Sequence, residues 1–204
     1  MSSAPAPHRG FFVVLEGIDG SGKTLQTQRL SDALRARGER VLQTREPTDG
    51  PWGRRYREWA RGAHEATPDE VLQLFIEDRR EHVAREIEPA LAAGEIVVCD
   101  RYVASTRAYQ VAAGIDRERL CALLGAESVP EPDLTLWLRL PVAQALARLA
   151  RAARERFERA EFLQRVDAEY ARLGLEEVDA SRDAGEVEAQ IAKRVLAALA
   201  ASAP

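Results

Sequence analysis

Only two of the 204 residues are cysteine and only two are lysine, and the chain has no surplus of positive charge. Cys99 and Cys121 give neither a disulfide framework nor a metal-ligand spacing. Cys99 lies in the apolar run IVVCD, where a thiol packs as a small, inert hydrophobe. No apolar stretch approaches the roughly 20 residues that a membrane-spanning helix needs. The first ten residues, MSSAPAPHRG, lack the charged-then-apolar order of a signal peptide, so a cytoplasmic location is expected. Residues 1–10 read as a disordered leader and 201–204 as a frayed tail. With 29 Lys and Arg against 33 Asp and Glu, the net charge is −4. That balance excludes a broad electrostatic surface for a nucleic-acid polymer, although local clusters can still bind phosphates. The three histidines, His8, His64 and His82, form no catalytic arrangement.

What is present suits one globular domain, expected over residues 11–200: 46% of residues are hydrophobic and 30% charged. Apolar runs of strand length alternate with longer helical patterns. Strands are predicted at Phe11–Glu16, Arg40–Arg45, Glu95–Asp100, Leu134–Leu140 and Glu176–Ala180. Their centres (VVL, VLQT, IVVC, LTLWL) are continuously apolar, as buried parallel strands require. Helices are predicted at Thr24–Arg37, Pro51–Arg61, Asp69–Ala93, Arg117–Leu124, Pro141–Leu173 and Gly185–Ala200. Gly38 and Gly94 supply helix stops. This alternation implies right-handed crossovers and a doubly wound α/β sheet.

One of the two lysines has a special place. Gly17-Ile18-Asp19-Gly20-Ser21-Gly22-Lys23-Thr24 fits G-x-x-x-x-G-K-[ST] between a predicted strand and a predicted helix. The glycines let successive N–H groups converge on phosphate oxygens, and the new helix adds its positive end. Lys23 brings an ammonium for the β and γ phosphates, and Thr24 a hydroxyl for Mg²⁺. A bare glycine turn would explain the glycines but not the Lys-Thr pair behind them. Asp100, closing the third strand, stands where Mg²⁺ or its water shell is held; the alternative is an ion pair of Asp100 with Arg101. No Asn-Lys-x-Asp element is present, which disfavours a GTPase.

With LEGIDGSGKTLQTQRL, TREP, LFIEDRREH, DRYVASTRAYQ, PDLTLWLRLP, RERFE and VDAS in that order, the chain resembles the thymidylate (dTMP) kinases of the nucleoside monophosphate kinase group. The resemblance spans about Phe11 to Leu199. It implies a three-layer P-loop kinase fold with a five-stranded parallel sheet ordered 2-3-1-4-5, flanked by helices and bearing a short helical lid at about 148–160. It also implies transfer of the ATP γ-phosphoryl group to dTMP, with Mg²⁺ and a homodimer.

Residue by residue, the resemblance makes Arg101 the binder of the acceptor phosphate, assisted by Arg45. Pro47 would pack near the thymine methyl. Phe75 would stack on thymine, although the LQLF stripe also suits plain core packing. Arg79, on the same helical face, would hydrogen-bond the base carbonyl. Asp19 would contact the sugar or the Mg²⁺ shell. Ser105 and Thr106 would meet the thymine edge, Tyr109 would crowd the sugar 2′ position, and Gln110 closes that motif. Because the phosphate loop carries no arginine, the resemblance is to the bacterial-type arrangement, in which Arg154 and Arg156 of the lid, beside Glu158, face the transferring group. The chain departs from the family's usual pattern at Thr48-Asp49-Gly50-Pro51 and at Glu77. The alternatives are a P-loop kinase for another nucleoside monophosphate or a deoxynucleoside, or a catalytically silent nucleotide-binding module.

Overall fold

FFVVLE holds no polar residue before its last position, and such a strand is stable only where both faces are covered. The computed structural model describes residues 10–149 and 159–202. It places this run as β1 (Phe11–Glu16) at the centre of a five-stranded sheet ordered β2-β3-β1-β4-β5. The other strands are β2 (Val41–Arg45), β3 (Ile96–Asp100), β4 (Leu134–Arg139) and β5 (Glu176–Asp179). All neighbours pair parallel.

Alternate residues of β1 serve opposite cores. Phe11, Val13 and Leu15 join Ile96, Val98 and Leu136 on one face. Phe12 and Val14 join Val97, Cys99 and Tyr102 on the other. Each such side chain contributes roughly 1.5–3 kcal/mol by leaving water, so the sheet is anchored at its middle. At the β5 edge only Val178 is buried. Leu15 sits level with Asp100 and with Leu136, so the loops that follow β1, β3 and β4 open along one edge of the sheet. In open α/β sheets, ligands bind along that edge.

The helices are α1 (Lys23–Ala36), α2 (Pro51–Ala60), α3 (Pro68–His82), α4 (Glu88–Ala92), α5 (Val103–Ala112), α6 (Arg117–Gly125), α7 (Val142–Leu149), α8 (Ala160–Ala171) and α9 (Ala184–Ser202). Helices α1, α5, α8 and α9 contribute to the first core. Among the described residues, no helix is long and apolar enough to cross a membrane.

The five strands lie where the sequence predicts them, to within a residue at either end, but three helical expectations change. The predicted helix Asp69–Ala93 is interrupted by a π-turn at Val83–Ile87, where the Glu88 N–H reaches back to the Val83 carbonyl. Pro89 accounts for it: in a regular α-turn its ring would crowd the carbonyl of Arg85, and the wider turn makes room. Helix α5 was not anticipated. Its sequence, VASTRAYQVA, has weak helical periodicity, and it is held by burial of Ala108, Tyr109 and Ala112 instead. In place of one helix over Pro141–Leu173 the structure has α7 and α8, and residues 150–158 lie outside the described residues.

Candidate active site

The loop between β1 and α1 is built from backbone. Gly20 has φ 82°, and a Cβ there would stand 2.7 Å from the Ala145 carbonyl oxygen. Gly22 has φ 94° and caps α1 without any side-chain hydrogen bond. The first-turn N–H groups of α1 are therefore left without a side-chain cap, which is the arrangement that attracts an anion. Lys23 Nζ donates to the Ile18 carbonyl at 2.8 Å and to Ser21 Oγ at 3.4 Å. Burial, reinforced by the nearby Arg101 charge, lowers its pKa to about 8. Thr24 Oγ1 donates to Asp100 Oδ2 at 2.6 Å. The other oxygen, Asp100 Oδ1, is buried without a hydrogen-bond partner. Among the described residues no three His, Cys, Asp or Glu side chains cluster as a metal site.

Arg101 enters from the end of β3. It is the one non-glycine residue with positive φ (73°) among the described residues, a conformation that costs a larger side chain about 1 kcal/mol or more. The backbone turn sends its guanidinium toward the phosphate loop. Nη1 donates to the Gly17 carbonyl at 2.9 Å and to Ser105 Oγ at 3.0 Å. Nη2 donates to Asp19 Oδ1 and, at 3.2 Å, to Tyr109 Oη. Arg101 thus pairs with Asp19 rather than with Asp100, its sequence neighbour. Burial works against its charge, but Tyr109 and Asp19 outweigh burial and hold its pKa well up. Burial alone would likewise raise the Asp19 carboxyl, yet Arg101 and Lys23 bring it below the ordinary range. The two cations meet: Arg101 and Lys23 donate to consecutive carbonyls, Gly17 and Ile18.

Beneath them lies Glu16, fully buried. It accepts from the Tyr102 N–H (2.8 Å), the Ser105 N–H and hydroxyl, and the Tyr170 hydroxyl (2.9 Å). Burial raises its pKa against the pull of these donors and of Arg101. This carboxylate clamps the start of α5 to the end of β1.

Asp19 and Arg101 also form one end of a pocket of about 220 Å³. Its aromatic wall is Tyr56 of α2 against Phe75 of α3, with ring centroids 4.6 Å apart. Arg45, Pro47, Arg57, Ser105 and Tyr109 contribute to the rest of the lining. The Glu46–Pro47 bond is cis. Arg45 also borders the neighbouring cavity that holds Thr24 and Asp100, so one side chain faces both halves of the cleft. Its guanidinium donates to Asp49 at 2.9 Å.

The structure therefore brings Asp19, Arg45, Pro47, Phe75, Arg101, Ser105 and Tyr109 to a single pocket. Arg79, Thr106 and Gln110 are not on its wall: all three are buried. Arg79 donates to Glu46 Oε2 (3.1 and 2.8 Å) and to Thr106 Oγ1 (2.7 Å). Gln110 has both side-chain polar atoms unpartnered. His82 is structural, set between Thr44 (2.7 Å) and Glu46 (3.2 Å). Arg154, Arg156 and Glu158 lie outside the described residues, as do residues 1–9. Arg148, where the expected lid begins, donates to the Gly20 and Ala180 carbonyls and so rests on the phosphate loop.

Sequence reasoning missed Tyr56, Arg57, Glu46 and Glu16. Glu16 carried a signal as a carboxylate ending a wholly apolar run, and Glu46 lies inside the TREP motif. Tyr56 and Arg57 belong to a polar helix with no motif.

Comparison with known proteins identifies the family. The family model described as thymidylate kinase matches residues 15–191. A thymidylate kinase of Xanthomonas campestris pv. campestris is 46% identical over 197 residues, covering 94% of this chain and 85% of that protein. One from Xanthomonas oryzae pv. oryzae is 44% identical over 196 residues, with the same coverage. One from Desulfotalea psychrophila is 42% identical over 160 residues, covering 77% and 78%. The chain belongs to the thymidylate kinase family.

Proposed function

We infer that this member of the thymidylate kinase family transfers the γ-phosphoryl group of ATP to the 5′-phosphate of dTMP, giving dTDP and ADP. The observation that carries the reading is the pairing of Asp19, a residue of the phosphate loop, with Arg101, which bonds that loop from the end of β3, both on the wall of the aromatic pocket. An acceptor held there has its base against Tyr56 and Phe75 and its phosphate toward Arg101. The donor phosphates lie on the loop amides and Lys23.

In the transfer, an acceptor phosphate oxygen forms a bond to the γ phosphorus while the bond from that phosphorus to the β–γ bridging oxygen breaks. The acceptor oxygen is already anionic, so no general base is needed. What the protein supplies is alignment and fixed positive charge. Arg101 suits the acceptor phosphate because a guanidinium presents two parallel donors. An incoming phosphate competes with Asp19 for that fork. Arg45, bordering both cavities, assists it. Tyr109 crowds the sugar, and Pro47 and Ser105 shape the remainder of the base site. Arg79 of α3 holds Glu46 of the pocket wall and Thr106 of α5, and Gln110 lies buried on α5. Arg154 and Arg156 supply the further positive charge from the lid.

Thr24 and Asp100 are suited to Mg²⁺. Hard oxygens are its preferred ligands, a single carboxylate beside substrate phosphates is its usual protein share, and Asp100 Oδ1 is an orphaned buried acceptor. When bound, the ion would neutralise charge on the phosphates. A homodimer and a cytoplasmic location accompany the reading.

Coupled ADP release measured with dTMP, dUMP, dCMP, dAMP and thymidine tests the assignment. A clear preference for dTMP is expected. Equal rates across the panel would remove the acceptor assignment while leaving the donor loop intact.

A further inference from the structure

Arg79 stands between two cavities. On one side it bonds Glu46, which lines the acceptor pocket. On the other its Nη1 is 3.5 Å from Glu127, which lines a separate cavity of about 320 Å³. That second cavity lies between β1, the first turns of α5 and the segment 124–132 that leads from α6 to β4, with Leu173 and Leu175 closing it.

Several of its buried polar groups are unsatisfied. Both carboxylate oxygens of Glu127, the Tyr102 hydroxyl and Arg107 Nε have no hydrogen-bond partner. The Glu127 side chain is 4% exposed and Tyr102 is 2% exposed. Arg79 Nη1, at its distance, is too far for a normal hydrogen bond to Glu127 and makes none elsewhere. Glu127 is thus charge-paired with Arg79 through one long contact only, and a carboxylate so buried has room for closer donors. Glu16 also lines the cavity but is already fully engaged by Tyr102, Ser105 and Tyr170. The remaining wall is mixed, with Val14, Val103, Val129 and Leu175 set beside Arg107, Glu131 and Thr135. A cavity of this size, with an apolar patch beside polar groups that lack partners, has the make-up of a site for a small, polar organic molecule.

We propose that this cavity is a second ligand site, taking a small flat molecule that carries paired N–H donors, such as an amidine or the amino edge of a heterocycle. The donor pair meets the two Glu127 oxygens in the fork geometry that carboxylates favour, and the flat body lies against the apolar patch. Occupancy draws Glu127 away from Arg79 and leaves that guanidinium to Glu46 and Thr106. The two cavities are thereby coupled, and coupling of binding is reciprocal. This last consequence rests on the acceptor reading above; the site itself does not.

The test is a titration of the full-length protein with benzamidine, followed by calorimetry or ligand-detected NMR, with and without saturating dTMP. Saturable binding is expected with a dissociation constant on the order of 1 mM. Glu127→Gln should weaken it at least about tenfold, and Tyr102→Phe should weaken it less. Benzyl alcohol, which has the ring but no donor pair, should not bind. Absence of saturable binding, equal affinity in Glu127→Gln, or binding abolished by dTMP would each overturn the site. Should Glu127→Gln fail to fold, unchanged affinity in Tyr102→Phe with benzyl alcohol binding equally well overturns it instead. An altered KM for dTMP in the presence of benzamidine supports the coupling; an unchanged KM with intact binding removes the coupling and keeps the site. A failed acceptor panel, by contrast, would leave the benzamidine result standing.

Discussion

The two halves of the cleft are made of different material. The donor half is mostly backbone: eight consecutive residues, Gly17–Thr24, supply an uncapped helix start and one lysine folded back on the loop. The acceptor half is mostly side chains, gathered from the phosphate loop, the end of β2, α2, α3 and the start of α5. A site made of contiguous backbone is robust to most side-chain changes but intolerant of any added Cβ at its glycines. A site made of scattered side chains can be altered one contact at a time.

The sharpest way to break the comparison is Lys23→Ala. Removing a fixed positive charge from the transferring group should lower kcat by about 10²- to 10³-fold with the fold intact by circular dichroism; near-normal turnover would show that the loop lysine is not part of the chemistry. Gly20→Ala should come next. Its methyl meets the Ala145 carbonyl at 2.7 Å in a left-handed conformation, so ATP affinity and thermal stability should fall together, measured by calorimetry and melting. On the acceptor side, Phe75→Ala should raise KM for dTMP by about tenfold to a hundredfold, the range for losing a stacked base, and leave kcat nearly unchanged. A kcat loss with constant KM would assign Phe75 to packing.

The pH dependence of ATP binding separates the halves more gently. Lys23, with its pKa lowered to about 8, loses its proton as pH rises through that value, so ATP should bind progressively more weakly above pH 8 and take up a proton on binding. The stability sign is the opposite. The unfolded chain keeps that proton up to the ordinary lysine value, so Lys23's contribution to stability rises between pH 8 and about 10.4. Smallest is Thr67→Ala. Thr67 and Glu70 form a complete capping box at α3, whereas α1 begins at Gly22 with no side-chain cap. Losing the Thr67 cap should cost about 1 kcal/mol of stability with activity retained, as expected where a helix end is satisfied internally.

The same division governs what the sequence discloses. The donor loop is legible because its function requires a fixed local spacing, and the strands are legible because both faces of a central strand must be apolar. Phe75, Arg101 and Tyr109 could be placed on the acceptor side only through a resemblance spanning several motifs. Tyr56 and Arg57 stayed hidden because α2 meets α3 through tertiary packing that no local pattern encodes. The same holds for Glu127, whose partner Arg79 is forty-eight positions away in the chain, and for α5, a helix stabilised by what it touches rather than by its own propensities. The π-turn at Val83–Ile87 had a visible cause in Pro89, but a proline inside a helical pattern can also kink or end the helix.

Lysine scarcity has a practical consequence. Lys23 and Lys193 are the chain's only side-chain amines, and a lysine whose pKa lies near 8 carries far more unprotonated, nucleophilic amine at neutral pH than an unperturbed one. Lys23 is buried and bonded to the Ile18 carbonyl, so only an acylating reagent small enough to reach the phosphate loop would tag it, and ATP should shield it from such a reagent. Protection of that one amine would then report occupancy of the loop by peptide mass, without any engineered label.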